Sequence, residues 1–257
     1  MSSHERERAI ITGATSGIGR AIAIRLAKRG AAVAVLGRNV EAASQVAAEV
    51  TKAGGLAFVA QTDVTDVNQV EDAVGKFVAA HGGVDTAVAS AGIALTGRVP
   101  DCKLSDWDRL MATNLNGTFY LARFTIPELV KSRGTFTAIS SDAGVQGACD
   151  YAAYAASKHA INGLVKCLAL EYGSRGVRVN SVCPAFVETP MADQLLKDAT
   201  AAELAYYRAI VPLGRFARPE EVAAAVAHLS SAEASYVNGM IYRLDGGSTA
   251  GYYSGTA

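Results

Sequence analysis

The chain has 257 residues, with 24 Lys and Arg against 24 Asp and Glu, so its formal net charge is zero. Half of it is hydrophobic and 19% is charged, which excludes intrinsic disorder, and the balanced charge excludes a global positive field that would hold nucleic acid or an anionic membrane. The length suits one large core, and no apolar run reaches the roughly 18 residues that suggest a membrane span.

In chain order, short apolar or β-branched runs predict strands at 8–12, 32–36, 57–60, 85–89, 135–140, 177–182 and 240–244. Helical patterns fall between them at 17–29, 40–53, 67–80, 104–131, 151–172 and 219–231. Several strands are continuously apolar, as expected when both faces of a parallel sheet are covered. Strand–helix alternation along the whole chain therefore predicts a doubly wound α/β fold, a single domain over 1–257 with seven strands and helices on both faces. The rhythm breaks after the sixth strand. Four prolines bracket a short helical piece at 191–207, and the excursion over 185–218 is either a lid on a substrate pocket or a plain surface loop.

The N-terminus is charged up to Ala9-Ile10-Ile11 and has no apolar leader, so no secretory signal is expected. Cys102, Cys149, Cys167 and Cys183 show neither zinc-site spacing nor disulfide density and read as reduced thiols of a cytoplasmic protein. His4, His81, His159 and His228 are scattered, so no metal site is expected.

After the first strand comes Thr12-Gly13-Ala14-Thr15-Ser16-Gly17-Ile18-Gly19, and then a helix. Glycines permit a tight turn and let the backbone approach a pyrophosphate, while the helix start offers free N–H groups. The spacing departs from G-x-G-x-x-G, and no Gly-Lys-Ser/Thr follows to make a P-loop. The second strand ends at Gly37-Arg38. That position faces an adenosine ribose in this architecture, where a carboxylate would accept the hydroxyls and an arginine suits a 2′-phosphate. A solvated surface arginine is the plain alternative.

Tyr154 and Lys158 lie four apart in a helical pattern, on one face. An ammonium beside a phenol favours the phenolate, which gives the pair a purpose in acid–base chemistry. Ser141 follows the fifth strand, at the edge where such sheets bind ligands, with a hydroxyl suited to a carbonyl oxygen. Asn114 sits mid-helix against its propensity, as a functional side chain, a water site or a kink.

Together these residues resemble the short-chain dehydrogenase/reductase family over essentially the full length. The likeness runs from the Thr12–Gly19 turn through Asp63-Val64, Ala91-Gly92, Asn114, Ser141, Tyr154-x-x-x-Lys158 and Pro184 with Thr189 to Asp245-Gly246-Gly247. The stretch Arg215-Phe216-Ala217-Arg218-Pro219-Glu220-Glu221 brings it nearest the β-ketoacyl-carrier-protein reductases. The resemblance implies a Rossmann-like fold and an NAD(P)-dependent oxidoreductase that moves a hydride to or from a carbonyl carbon. Tyr154 would be the acid–base, Lys158 would lower its pKa and hold a ribose, and Ser141 would polarise the carbonyl. Asn114 would hold a relay water. Gly13, Ser16, Gly17, Ile18, Gly19, Arg38, Asp63, Val64, Ser90, Ala91, Gly92, Pro184, Val187 and Thr189 would complete the cofactor site. Ser141, Cys149, Tyr154 and Phe186 would meet substrate. Arg38 favours NADP(H) over NAD(H), and family members commonly form homotetramers through the helices carrying Asn114 and Tyr154.

Two positions depart from the family pattern: Ser90 replaces a usual Asn, and Ala185 a usual Gly. An NAD-dependent alcohol or polyol dehydrogenase of the same family is the alternative. A non-catalytic dinucleotide sensor would have no need of the four acid–base residues present here.

Overall fold

The structure, a computed structural model, describes residues 6–253; the charged stretch 1–5, with His4, lies outside the described residues, as does 254–257. Seven parallel strands form one sheet: β1 (Arg8–Thr12), β2 (Ala32–Gly37), β3 (Leu56–Gln61), β4 (Thr86–Ala89), β5 (Thr135–Ile139), β6 (Arg178–Pro184) and β7 (Ile241–Leu244). Their order is β3-β2-β1-β4-β5-β6-β7, so the chain reverses direction across the sheet between β1 and β4. Connections leaving there diverge to opposite sides and open a crevice at the carboxyl ends of the strands.

Helices α1 (Gly17–Ala27), α2 (Val40–Lys52) and α3 (Val67–His81) follow the first three strands. Next come α4 (Leu104–Met111), α5 (Gly117–Ser132), α6 (Ala152–Tyr172), α7 (Pro190–Leu195), α8 (Ala201–Ala209) and α9 (Pro219–Leu229). One face of the sheet is covered by α1 and α9, where Ile22, Leu26, Val222 and Val226 are fully buried. The other is covered by α3, α5 and α6 through Phe77, Leu121, Leu129 and Ile161. Burial of each such side chain contributes about 1.5–3 kcal/mol, which is why the central strands carry apolar residues on both faces. Among the described residues no helix is long and apolar enough to cross a membrane.

Two predicted helices differ from the structure in ways that bear on function. The pattern 104–131 is one helical run, but Ala112–Asn116 within it form a π-helical turn. The single piece expected at 191–207 is two helices. Thr200 starts the second with a capping box, its hydroxyl accepting from Glu203 N at 3.2 Å while Glu203 Oε2 accepts from Thr200 N at 2.7 Å.

At the opposite, amino-terminal edge of the sheet Arg8 at the start of β1 grips Asp85 just before β4. Its Nη2 donates to Oδ1 at 2.6 Å and its Nε to Oδ2 at 2.8 Å, and both side chains are largely withdrawn from water. Asp85 Oδ2 also accepts from the Arg8 backbone N–H at 2.9 Å. Charge-assisted hydrogen bonds contribute about 1.5–3 kcal/mol, so Asp85→Ala is expected to cost about 2–3 kcal/mol. The check is a lower urea midpoint with an unchanged slope.

Candidate active site

The crevice between β1 and β4 holds a cavity of about 250 Å³. Its floor is the Gly-rich turn. Gly13 has φ +64, and a Cβ there would stand 2.7 Å from Ala91 Cα; a Cβ on Gly19 would stand 2.2 Å from the Gly13 carbonyl oxygen. Both positions need glycine because the backbone of three segments converges. Ser16 makes no side-chain cap to α1, so the first-turn N–H groups of that helix open onto the cavity. Thr12 Oγ1 accepts from Ser90 N at 3.2 Å and Ala91 N at 3.3 Å, bracing the two strand ends. The hydroxyl of β1 thus ties the ends together through the backbone of residues 90 and 91.

Of the residues assigned to a cofactor, Gly13, Ser16, Gly17, Ile18, Gly19, Arg38, Asp63, Val64, Ser90, Ala91, Gly92 and Thr189 line this cavity. Pro184, Val187 and Tyr154 do not; they lie in the wall of the second cavity described below, and Lys158, also assigned to the cofactor, lines neither. Gly37 packs so tightly that a Cβ would meet Thr15 Cγ2 at 2.5 Å, leaving no room for a carboxylate side chain without displacing Thr15. Asp63 is engaged locally, its Oδ1 accepting from Thr65 N at 2.9 Å and Thr65 Oγ1 at 2.8 Å. A backbone cradle closed to side chains, an uncapped helix start and a flanking arginine fit the pyrophosphate and ribose of a dinucleotide.

A second cavity of about 150 Å³ adjoins the first and shares Ile18, Thr189 and Met191 with it. Ser141, Tyr154 and Asp142 form a polar wall, and Phe186, Ala192 and Leu195 an apolar one. The 185–218 excursion supplies that apolar wall. Its Phe186 ring contacts Tyr207 on α8 and Phe216, each at 5.3 Å between centroids. Ala148 lines the cavity, whereas neighbouring Cys149 is exposed and lies outside the lining. Ala185 is not among the left-handed residues, so the backbone there accepts a Cβ.

Tyr154 is at the first turns of α6, and Lys158 one turn on is 4% exposed. Lys158 Nζ donates to the Ile139 carbonyl at 2.9 Å and lies 5.5 Å from the Tyr154 ring centroid. Burial pushes this amine down to about 8. Burial also raises the Tyr154 phenol above its ordinary value, with a Ser141 hydrogen bond pulling the other way. This direction is opposite to the one expected from a neighbouring ammonium. The phenol is half-buried against the wall of the second cavity, and the ammonium is turned to a carbonyl at the end of β5. Asp142 is likewise raised, first by burial, against hydrogen bonds from Ser141 and the Ala143 N–H.

Asn114, in the π-helical turn, is fully buried. Its Oδ1 accepts from Ile93 N at 2.8 Å, and its Nδ2 donates to Ile93 O at 3.0 Å and Ser157 Oγ at 3.1 Å. Ser157 in turn donates to the Tyr154 carbonyl at 2.7 Å. Asn114 therefore joins the loop after β4 to the first turns of α6. A Cβ on Gly92 would stand 3.3 Å from Asn114 Oδ1 and 3.7 Å from Lys158 Nζ, so glycine keeps open the space between them. Sequence reasoning missed Ser157, although it lies three residues after Tyr154 on one helix. It also missed Ile139, whose backbone carbonyl no motif could flag.

A family model described as enoyl-(acyl carrier protein) reductase matches residues 13–249. A 3-oxoacyl-(acyl-carrier-protein) reductase of Thermotoga maritima is 37% identical over 239 residues, covering 93% of this chain and 96% of its own. The meso-2,3-butanediol dehydrogenase of Serratia marcescens is 36% identical, with 94% of each covered. The solved structure of a short-chain type dehydrogenase/reductase from Mycobacterium marinum superposes with a TM-score of 0.89 at 34% identity, covering 95% of this chain and 96% of its own. With the glycine cradle and the Tyr154–Lys158 turn set in one seven-stranded sheet, this chain belongs to the short-chain dehydrogenase/reductase family, NAD(P)-dependent oxidoreductases of alcohols and ketones.

Proposed function

We propose that the chain is an NADP(H)-dependent carbonyl reductase, working through Ser141, Tyr154, Lys158 and Asn114. One observation carries this reading: Ser141 and Tyr154 face the small cavity that adjoins the large one, with Lys158 and Asn114 buried close by. When bound, the dinucleotide supplies or accepts the hydride. Tyr154 gives its phenolic proton to the carbonyl oxygen in reduction and takes it back in oxidation. Ser141 holds that oxygen in place, Lys158 balances the charge left on the phenol, and Asn114 fixes α6 against the loop after β4. The 185–218 segment serves as the apolar lid of the cavity. The same reading makes the protein a cytoplasmic homotetramer. Four free cysteines support the compartment, and exposed Phe119 and Leu170 on α5 and α6 support the assembly, which a light-scattering mass decides.

Tyr154→Phe deletes the proton donor and keeps the ring. General acid catalysis supplies roughly 10²–10⁴-fold, so kcat is expected to fall by at least that order while the dissociation constant for NADPH stays within a few-fold. A kcat near that of the wild type would overturn the role.

The pH profile follows from Lys158. The amine is charged below about 8 and neutral above it, whereas the phenol keeps its proton throughout this range. The kcat/KM for NADPH, which reports on the free enzyme, is therefore expected to decline on the alkaline side with a midpoint near 8. A profile flat to about pH 10, the ordinary range of an exposed lysine, would count against it.

Arg38 sets cofactor choice. A 2′-phosphate gains a charged hydrogen-bond partner there, and no carboxylate at Gly37 repels it. One such bond contributes about 1.5–3 kcal/mol, so Arg38→Ala is expected to lower the NADPH/NADH ratio of kcat/KM by roughly ten- to a hundredfold. A wild type that already prefers NADH would reject the NADP(H) assignment.

A further inference from the structure

The second cavity carries a carboxyl group that the acid–base machinery does not use. Asp142 follows Ser141 directly, at the end of β5, and lines the same polar wall as Tyr154. Its two hydrogen bonds fall on one oxygen: Oδ1 accepts from Ser141 Oγ at 2.8 Å and from Ala143 N at 2.8 Å. Among the described residues no other residue donates to Oδ2. A half-buried carboxyl that lines the cavity with one oxygen anchored leaves the other to accept a hydrogen bond from a bound molecule.

We propose that Asp142 is a specificity-determining residue that accepts a second hydroxyl of the substrate, on the carbon next to the reacting one. The substrate class is then an α-hydroxy ketone in reduction and a vicinal diol in oxidation. The proposal rests on the alcohol–carbonyl reading above.

The spacing carries the choice of neighbouring carbon. Ser141 Oγ stands 2.8 Å from Asp142 Oδ1 and, in that reading, turns its single proton to the reacting oxygen, which frees the carboxylate to accept the second hydroxyl. Two partners of one hydroxyl oxygen, each about 2.8 Å away in tetrahedral directions, stand roughly 4.5 Å apart. A hydroxyl on the adjacent carbon lies about 3 Å from the reacting oxygen and so reaches the carboxyl at about hydrogen-bond distance. The opposite wall, with Phe186, Met191 and Leu195, takes the apolar remainder and offers no partner to a charged group. Tyr151 shares the polar wall, its ring 6.2 Å from that of Tyr154, and the Asp142 charge is felt at both phenols. The carboxyl therefore stands within reach of the reacting centre.

The test compares kcat/KM for cyclohexanone and 2-hydroxycyclohexanone, with saturating NADPH, in the wild type, Asp142→Ala and Asp142→Asn. The wild type is expected to prefer the hydroxy ketone by at least about tenfold, the value of one charge-assisted hydrogen bond. In Asp142→Ala this ratio is expected to fall about tenfold or more toward one. Asp142→Asn, which keeps the shape and the acceptor on Ala143 N, is expected to fall between. Both ketones lose some turnover because Ser141 loses its acceptor, and the ratio isolates the second hydroxyl. A wild-type ratio near one overturns the proposal. So does a ratio that persists in both variants, which would leave Asp142 as a support for Ser141 alone. Wild-type turnover of neither ketone, with NADPH binding retained, would instead overturn the carbonyl-reductase reading and the proposal with it.

Discussion

Lys158 carries an ammonium into a place almost closed to water, and much of the surrounding structure holds it there. Removing a charge from water costs several kcal/mol unless fixed dipoles replace the hydration shell. The Ile139 carbonyl does so at 2.9 Å, because the sheet hydrogen bonding of β5 stops at its end and frees that oxygen. The helix bearing Lys158 is then riveted to the sheet by polar contacts. Ser140 Oγ donates to the Lys158 carbonyl, Asn162 Nδ2 donates to the Gly144 carbonyl, and Asn162 Oδ1 accepts from Ser181. Buried polar residues on α6 are unusual for a helix packed on a sheet, and they are satisfied here one by one.

The position of the site follows from the strand order. Only between β1 and β4 do successive connections leave on opposite sides, so only there does the carboxyl edge open into a crevice. Gly13 and Gly19 let the turn close under that crevice, and Thr12 holds the two strand ends together. One strand further along, Ser141 follows two residues after the end of β5, and β6 ends at Pro184 and runs into the 185–218 excursion. The second cavity is thus the space between a strand end and the segment that returns over it. Thr189 belongs to both cavities because it caps α7 at their junction, its Oγ1 accepting from Ala192 N at 3.3 Å.

The alternation of strands and helices was legible because its signals are local: apolar runs, periodicity and glycine at turns. The π-helical turn at Ala112–Asn116 was not, because a widened turn leaves the apolar pattern intact; only Asn114, out of place by propensity, marked it. The break at 196–200 was written in Thr200 and Glu203, a capping signature inside a stretch whose composition read as one helix. Within the site, Ser141, Tyr154 and Lys158 could be picked out by residue type and spacing. Their partners could not, since Ile139 and Ile93 act through backbone atoms. The direction in which Tyr154 shifts was equally hidden. It depends on where the Lys158 ammonium points and on how much protein covers the phenol, and neither is a property of spacing four.

Those two shifts share one cause. Burial disfavours any isolated charge, so it holds the proton on the phenol and loosens it from the amine. A lone phenolate would be costly in this site, and so would a lone ammonium. A phenolate and an ammonium together stabilise each other across a short, poorly screened gap, with Lys158 Nζ 5.5 Å from the Tyr154 ring centroid. In the proposed mechanism the proton leaves Tyr154 only as it is delivered to the carbonyl oxygen. The negative charge then appears beside a lysine already in place, without reorganisation of water. The same burial that makes Tyr154 a weak acid on its own makes it dependent on Lys158 once it reacts. In that mechanism the pair functions as one group, and the buried helix face that holds the lysine serves the proton transfer.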